Sequence, residues 1–342
     1  MKRILAVATG LVTASMMIAS ASAQEVNLTL HHFLGPKAPA QTQMLEPWAR
    51  SVEEASGGRI KVEIFPAMSL GGKPPELYRQ VRDGVVDIVW TVLGYTPGTF
   101  PRSEVFELPT VHQGSAKQTT IAFTEAFDMV AEDFKDVKPI LLHTHGGQAF
   151  HMVNKPVRKP EDLAGLKIRT PSRTGGWTIE AYGAEPVGMP VPEVPEALSK
   201  GVLDGTMVPF EIFPALKLQE LTQYSTEGAG GTRFGTSTFM IAMNKDRYDS
   251  LPDDLKKVID DHSMANIAAT YGAVWDGIEN GGKDLRKSRG ELIELTAEET
   301  RAFDARGQAV VDRWIKEAAE LGLDGAAMVE NARALVAKAP AR

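Results

Sequence analysis

The chain has 342 residues, a formal net charge of −7 and no cysteine. Disulfides, thiolate catalysis and cysteine-ligated zinc are therefore excluded, and a chain of this length buries enough core to do without staples. The acidic balance argues against nucleic acid or an anionic membrane surface as partner.

Met1-Lys2-Arg3 precedes an apolar run from Ile4 to Ala19, and Ala21-Ser22-Ala23 follows as a small-x-small cleavage pattern. This layout predicts a secretory signal peptide over 1–23 and an exported chain with no membrane insertion after cleavage. A single N-terminal anchor is the alternative, weakened because Thr9, Gly10, Thr13 and Ser15 dilute the apolar run. Next, Val26, Leu28 and Leu30 alternate as a strand over 26–32. Residues 40–56 predict a helix with Met44, Leu45, Trp48 and Val52 on one face, stopped by Gly57-Gly58. The stretch RIKVEIF, 59–65, reads as a half-buried strand. A Gly-Gly-Lys-Pro-Pro turn leads to a helix from about 75 to 82, and VDIVWTVL, 86–93, is apolar enough for a strand covered on both faces.

A second round begins near 138. PILLH and HMVN read as strands, KPEDLAG as a short helix or turn, and LKIRT as another strand. A helix over 175–182 ends at Gly183, a further helix covers EVPEALSKG, and VLDGTMV is a strand. YRQVRDGVVDIVW (78–90) and PEALSKGVLDGTMV (195–208) share the order helix, glycine, Val-x-Asp, strand. Duplication and frequent reuse of one α/β turn both account for this, and either suggests two similar lobes. The longest helical run is 252–289, with two apolar stripes suited to more than one neighbour. An edge strand over 291–296 and two helices over 298–338 complete the chain. Strands interleaved with helices place the fold in the α/β class.

Arg169 stands at the end of the GLKIRTPS strand, where ligands bind in open α/β sheets. A guanidinium cannot lose its proton, grips a carboxylate through two parallel bonds, and is costly to bury unpaired. Its partner is either an internal acid or a ligand carboxylate. Phe33, Trp90, Tyr95 and Phe210 fall near strand ends and suit either core packing or a flat ligand body. His143 and His145 share one face of an extended segment, a possible metal pair for an exported hydrolase, yet spacing supplies no third ligand. Motifs for a nucleophilic serine, a zinc protease or a phosphate cradle are missing, so no enzyme activity and no cofactor are expected.

The ordered motifs SGGRIKVEIFPAMSLGG, ELYRQVRDGVVDIVW, FELPTV, EDLAGLKIRTPS, EVPEALSKGVLDG and MNKDRYDSLPDDLKKVI resemble the DctP-type periplasmic solute-binding proteins of TRAP (tripartite ATP-independent periplasmic) transporters. The resemblance covers nearly the whole chain after the leader. It implies a periplasmic two-lobed protein with a long helix spanning both lobes, lobe I over 24–146 and 236–262, lobe II over 147–235 and 263–342. It further implies an organic carboxylate ligand held by Arg169 and handed to the membrane subunits of the transporter. Two departures matter. Gly146-Gly147-Gln148 stands where many members have a second arginine, and Val208 stands where many have asparagine. Both remove polarity, which favours an apolar or aromatic monocarboxylate or a 2-oxo acid, with Arg169, Gln148, Phe33, His32, Trp90, Val208, Phe210 and Glu211 as ligand-binding residues. A hydroxylated or dicarboxylic acid using His31, His32 or Glu211 is the alternative, and a sensor module partnering a kinase is a further one.

Overall fold

Two sheets organise the protein, which we describe from a computed structural model over residues 26–340. The expected signal peptide lies outside the described residues. The strands are β1 (Val26–His32), β2 (Ile60–Phe65), β3 (Ile88–Val92), β4 (Val137–Thr144), β5 (Ala149–Met152), β6 (Lys167–Thr170), β7 (Glu185–Gly188), β8 (Gly205–Val208), β9 (Tyr224–Glu227), β10 (Thr238–Asn244) and β11 (Glu291–Glu294). The first sheet has the order β2-β1-β3-β10-β4 and the second β11-β9-β5-β8-β6-β7. β2 keeps its alternation because it is an edge strand, with Ile60 and Val62 buried and Lys61 and Glu63 outward. β3 is buried throughout because it lies inside the sheet and is covered on both faces.

The two sheets repeat one plan. In the first, β1 lies between parallel neighbours β2 and β3, and β10 runs antiparallel to β3 and β4. In the second, β6 lies between parallel neighbours β7 and β8, and β5 runs antiparallel to β8 and β9. The repeated sequence segments fall at matching places. Gly84 and Gly201 adopt φ of 71° and 67°, a region open to glycine at little cost. Asp87 Oδ2 accepts from the Thr29 backbone N–H at 2.8 Å, and Asp204 Oδ2 accepts from the Lys167 N–H at 2.8 Å. Each aspartate thus ties its strand to the parallel neighbour, and the shared topology favours duplication over chance reuse of a turn.

The chain crosses between sheets from β4 to β5 and again from β9 to β10. The crossings lie side by side: Gln148 N–H donates to Gly235 O at 2.8 Å and Phe234 N–H to Gln148 O at 3.0 Å. The predicted single helix over 252–289 is instead two, Asp253–Asp261 and Ala265–Ser288. Met264, at φ 49° and ψ −123°, breaks the run. Its N–H donates to Ile140 O on β4, and His262 O accepts from Trp48 Nε1 at 2.9 Å. Long-range partners have replaced the helical ladder there. The Ala265–Ser288 helix then reaches both halves of the molecule. Asp276 accepts from the Ser115 hydroxyl at 2.8 Å and the Ala116 N–H at 2.7 Å at the start of the helix Ala116–Glu125. One face lies against Lys117 at Gly272, and Gly282 lets the Phe210 carbonyl approach so closely that a Cβ would collide with it. The helices Ala297–Glu320 and Gly325–Lys338 close the chain as expected.

Candidate ligand-binding site

Pro171 ends β6, and Ser172 caps the next helix, Arg173–Ala181, its hydroxyl accepting from Gly175 N–H at 3.2 Å. These signals hold Arg169 at the strand end. Arg169 is 2% exposed, with Nε donating to Met189 O at 2.9 Å and Nη1 to Met207 O at 3.3 Å. Nη2 has no partner. No carboxylate lies within ion-pair distance of it among the described residues. Burial draws its pKa down from the ordinary arginine value, and the nearby Tyr95 hydroxyl opposes this. Tyr95 comes from the segment after β3, and its oxygen accepts from Val191 N–H at 2.9 Å in the other half.

Arg169 lines a cavity of about 40 Å³ between the two halves. Phe33, Trp90, Phe239 and Trp275 form an aromatic wall. Trp90 stacks on Phe33 at 4.8 Å and 11° and on Phe239 at 5.4 Å and 3°. Trp275 lies against the same indole at 6.1 Å. Pro171, Val191, Val208 and Ile212 line other parts of the cavity. Arg169 is its one arginine or lysine among the described residues.

Six of the eight expected ligand-binding residues meet here, Arg169, Gln148, Phe33, Trp90, Val208 and Glu211, and Tyr95 lines the cavity with them. His32 and Phe210 do not line the cavity. His32 bonds Gln41 Oε1 through Nε2 at 3.0 Å and stands edge-on to Trp90 at 6.0 Å, one layer behind the wall. Phe210 is fully buried beneath Arg233 and Lys283, at 5.4 and 5.7 Å. His31, from the alternative reading, is also away from the cavity and bonds Gln80 Oε1 at 2.9 Å. Trp275, Phe239 and Leu34 were missed. No local pattern marks them, because each reaches the site through its register or through a distant helix.

The metal pair does not form. His143 Nε2 accepts from Trp90 Nε1–H at 2.9 Å, and burial pushes its pKa down to about 3. His145 lines the cavity, but its Nδ1 accepts the Gly147 N–H at 3.0 Å. Among the described residues no group of three or more His, Asp or Glu side chains is placed to hold a metal ion.

Below the cavity, Glu279 joins Arg233 at 3.1 Å, and Arg233 joins Glu227 at 2.5 Å. Glu211, 5% exposed, has its N–H held by Glu279 Oε1 at 3.1 Å. Burial, then the neighbouring Glu279, raises the Glu211 pKa well above its ordinary value.

Two similar α/β halves enclosing a cavity, with one buried cation and aromatic walls, define a two-lobed solute-binding protein for a small anion. The family model described as "Bacterial extracellular solute-binding protein, family 7" (DctP) matches residues 30–317, and the chain belongs to that family. A TRAP solute-binding protein from a marine metagenome, described as specific for aromatic acid ligands and solved with 3-hydroxybenzoate, is 44% identical with a TM-score of 0.90, covering 93% of this chain and 100% of that one. A TRAP solute-binding protein from Rhodoferax ferrireducens T118 with copurified benzoate is 39% identical with a TM-score of 0.88, covering 91% and 98%. The C4-dicarboxylate-binding periplasmic protein DctP of Rhodobacter capsulatus is 25% identical over 89% of this chain and 91% of its own length. The chain is thus a transporter's solute-binding protein rather than an enzyme. Such proteins bind small organic acids and deliver them to membrane subunits. No helix among the described residues is long and apolar enough to cross a membrane.

Proposed function

We propose that this protein is exported to the periplasm by its signal peptide and captures an aromatic monocarboxylate for a TRAP transporter. The carrying observation is Arg169: buried, without a carboxylate partner, and with Nη2 unpartnered at the edge of an aromatic cavity. A buried cation is stable when paired and hydrogen-bonded. A ligand carboxylate completes it, taking Nη2 and sharing Nη1, while the ring lies against Phe33, Trp90, Phe239 and Trp275. Gln148, Val208 and Glu211 line the rest of the contact surface. A C4-dicarboxylate has a second charge for which the cavity offers no second cation. The bound aromatic acids of the 44% and 39% identical structures support the same ligand class.

The crossings support a division into two lobes. We assign 24–146 and 236–262 to lobe I and 147–235 and 263–342 to lobe II, with the Ala265–Ser288 helix bracing both. Ligand bound between them stabilises the closed arrangement that the membrane subunits read. Calorimetry with benzoate, benzamide and succinate tests the proposal on protein unfolded and refolded to remove retained ligand. Benzoate should bind at micromolar or tighter Kd, about −8 kcal/mol, and benzamide should not. Micromolar succinate binding with no benzoate binding overturns the reading.

A further inference from the structure

Three polar atoms around this cavity have no partner besides Arg169 Nη2. Gln148 Oε1 and Glu211 Oε2 are two, and Trp275 Nε1 is the third. Their residues are 4%, 5% and 1% exposed, and all three line the cavity that Arg169 lines. Each is held in place from behind. Gln148 Nε2 donates to Ser237 Oγ at 2.9 Å, which leaves the amide oxygen as its unpaired end. Glu211 is anchored through its N–H to Glu279, itself locked by Arg233. Trp275 is stacked with Phe239 and His143, at 6.1 and 5.3 Å. Orphaned buried donors and acceptors are rare in native proteins and cost stability unless something supplies their hydrogen bonds.

The strand order sets Gln148 furthest from the carboxylate anchor. Arg169 is on β6, Glu211 follows β8, and Gln148 leads into β5, with β8 between β6 and β5. Glu211 is thus one strand spacing, roughly 5 Å, from the strand of Arg169, and Gln148 is two, roughly 10 Å. That span suits a benzene ring with a polar group at each end.

We propose that Gln148, Glu211 and Trp275 form a second subsite that reads a hydroxyl on the ligand's ring, away from its carboxylate. This rests on the aromatic-monocarboxylate reading above. A phenolic hydroxyl pairs two of the three orphans at once: its O–H donates to Gln148 Oε1 or Glu211 Oε2, and its oxygen accepts from Trp275 Nε1–H. A second carboxylate does not match, because Gln148 Oε1 is an acceptor and the locked Glu279 carboxylate lies directly behind Glu211. The subsite therefore selects hydroxylated aromatic monoacids and rejects aromatic diacids. A site built to bond a hydroxyl leaves its own polar atoms unpaired when an analogue lacks one.

The test is calorimetric, on the full exported chain stripped of ligand. The probes are benzoate, 2-, 3- and 4-hydroxybenzoate, 3-chlorobenzoate as a size control, and isophthalate as the diacid. Either the 3- or the 4-hydroxy acid should bind about ten- to a hundredfold tighter than benzoate and 3-chlorobenzoate. The 2-hydroxy acid, with its hydroxyl beside the carboxylate, should gain nothing, and isophthalate should bind weakest. In Gln148→Leu and Glu211→Leu, each checked for folding by circular dichroism, the ratio of hydroxybenzoate to benzoate affinity should fall toward one. Equal affinity for benzoate and both hydroxy acids in the parent protein overturns the subsite and leaves the aromatic reading standing. An unchanged ratio in both variants overturns the assignment of its residues. Failure of every aromatic acid to bind overturns both readings together.

Discussion

Replacing Arg169 with methionine separates two roles that a buried arginine can have. In the free protein its guanidinium is held by two backbone carbonyls, at 2.9 and 3.3 Å, and by no carboxylate among the described residues. Removing it frees the fold of a desolvated charge, a gain that reaches a few kcal/mol when an apolar side chain of similar volume takes the space. Against this stands the loss of two charge-assisted hydrogen bonds, each worth about 1.5–3 kcal/mol. The two terms nearly cancel, so ligand-free stability should stay within about 2 kcal/mol of the parent. Binding behaves differently. Losing one partner of a buried, hydrogen-bonded charge pair costs about 2–5 kcal/mol or more. Benzoate affinity should fall at least thirtyfold, roughly 2 kcal/mol or more. The roughly 2.7 kcal/mol of stabilisation that ligand supplies at about 100 times Kd should fall to about 0.9 kcal/mol or less at the same concentration. Chemical denaturation with and without benzoate reads both quantities. A variant that loses more than about 4 kcal/mol without ligand yet still binds benzoate like the parent would make Arg169 a structural residue and refute the reasoning.

Arg169→Lys should also bind benzoate poorly, because a point charge cannot reproduce the flat two-pronged grip; parent-like affinity by calorimetry contradicts this. Phe33→Ala removes a ring stacked on Trp90 and lining the cavity, and should weaken benzoate roughly tenfold. Gly282→Ala places a methyl against the Phe210 carbonyl, so the bracing helix must shift; a loss of about 1–3 kcal/mol in urea unfolding is expected. Burial pushes His112, His143 and His151 down to about 3, so they are neutral when folded and take up protons on unfolding. Their contribution is complete above pH about 6.5 and is lost as pH falls toward 3. Melting temperature should therefore drop steeply across that window, and His143→Gln should make the drop shallower. A profile that is flat from 6.5 to 4 contradicts their burial as neutral groups.

What the sequence by itself determined is local. The alternation of Ile60, Val62 and Ile64 marked β2, the apolar run around Trp90 marked β3, and the glycine-Val-x-Asp turns marked the starts of β3 and β8. These depend on neighbouring residues and on which φ values glycine alone takes readily. Arg169 was legible for the same kind of reason: a permanent charge at the end of a buried strand needs a partner, wherever that partner comes from. Tertiary structure decided the rest. β7 and β9 are short and partly polar, and they exist because parallel and antiparallel neighbours complete their ladders. The break at Met264 belongs to Ile140 and Trp48, far away in the chain. His32 and Phe33 are adjacent, yet β1 ends at His32 and the chain bends there, and only that bend decided that Phe33 meets the cavity while His32 backs it. Trp275 reaches the cavity on a helix whose packing against Lys117 and Phe210 no local pattern encodes. Residue types could show that a cation was waiting for a carboxylate. Only the crossings between the two sheets could show which side chains surround the space where that carboxylate would bind.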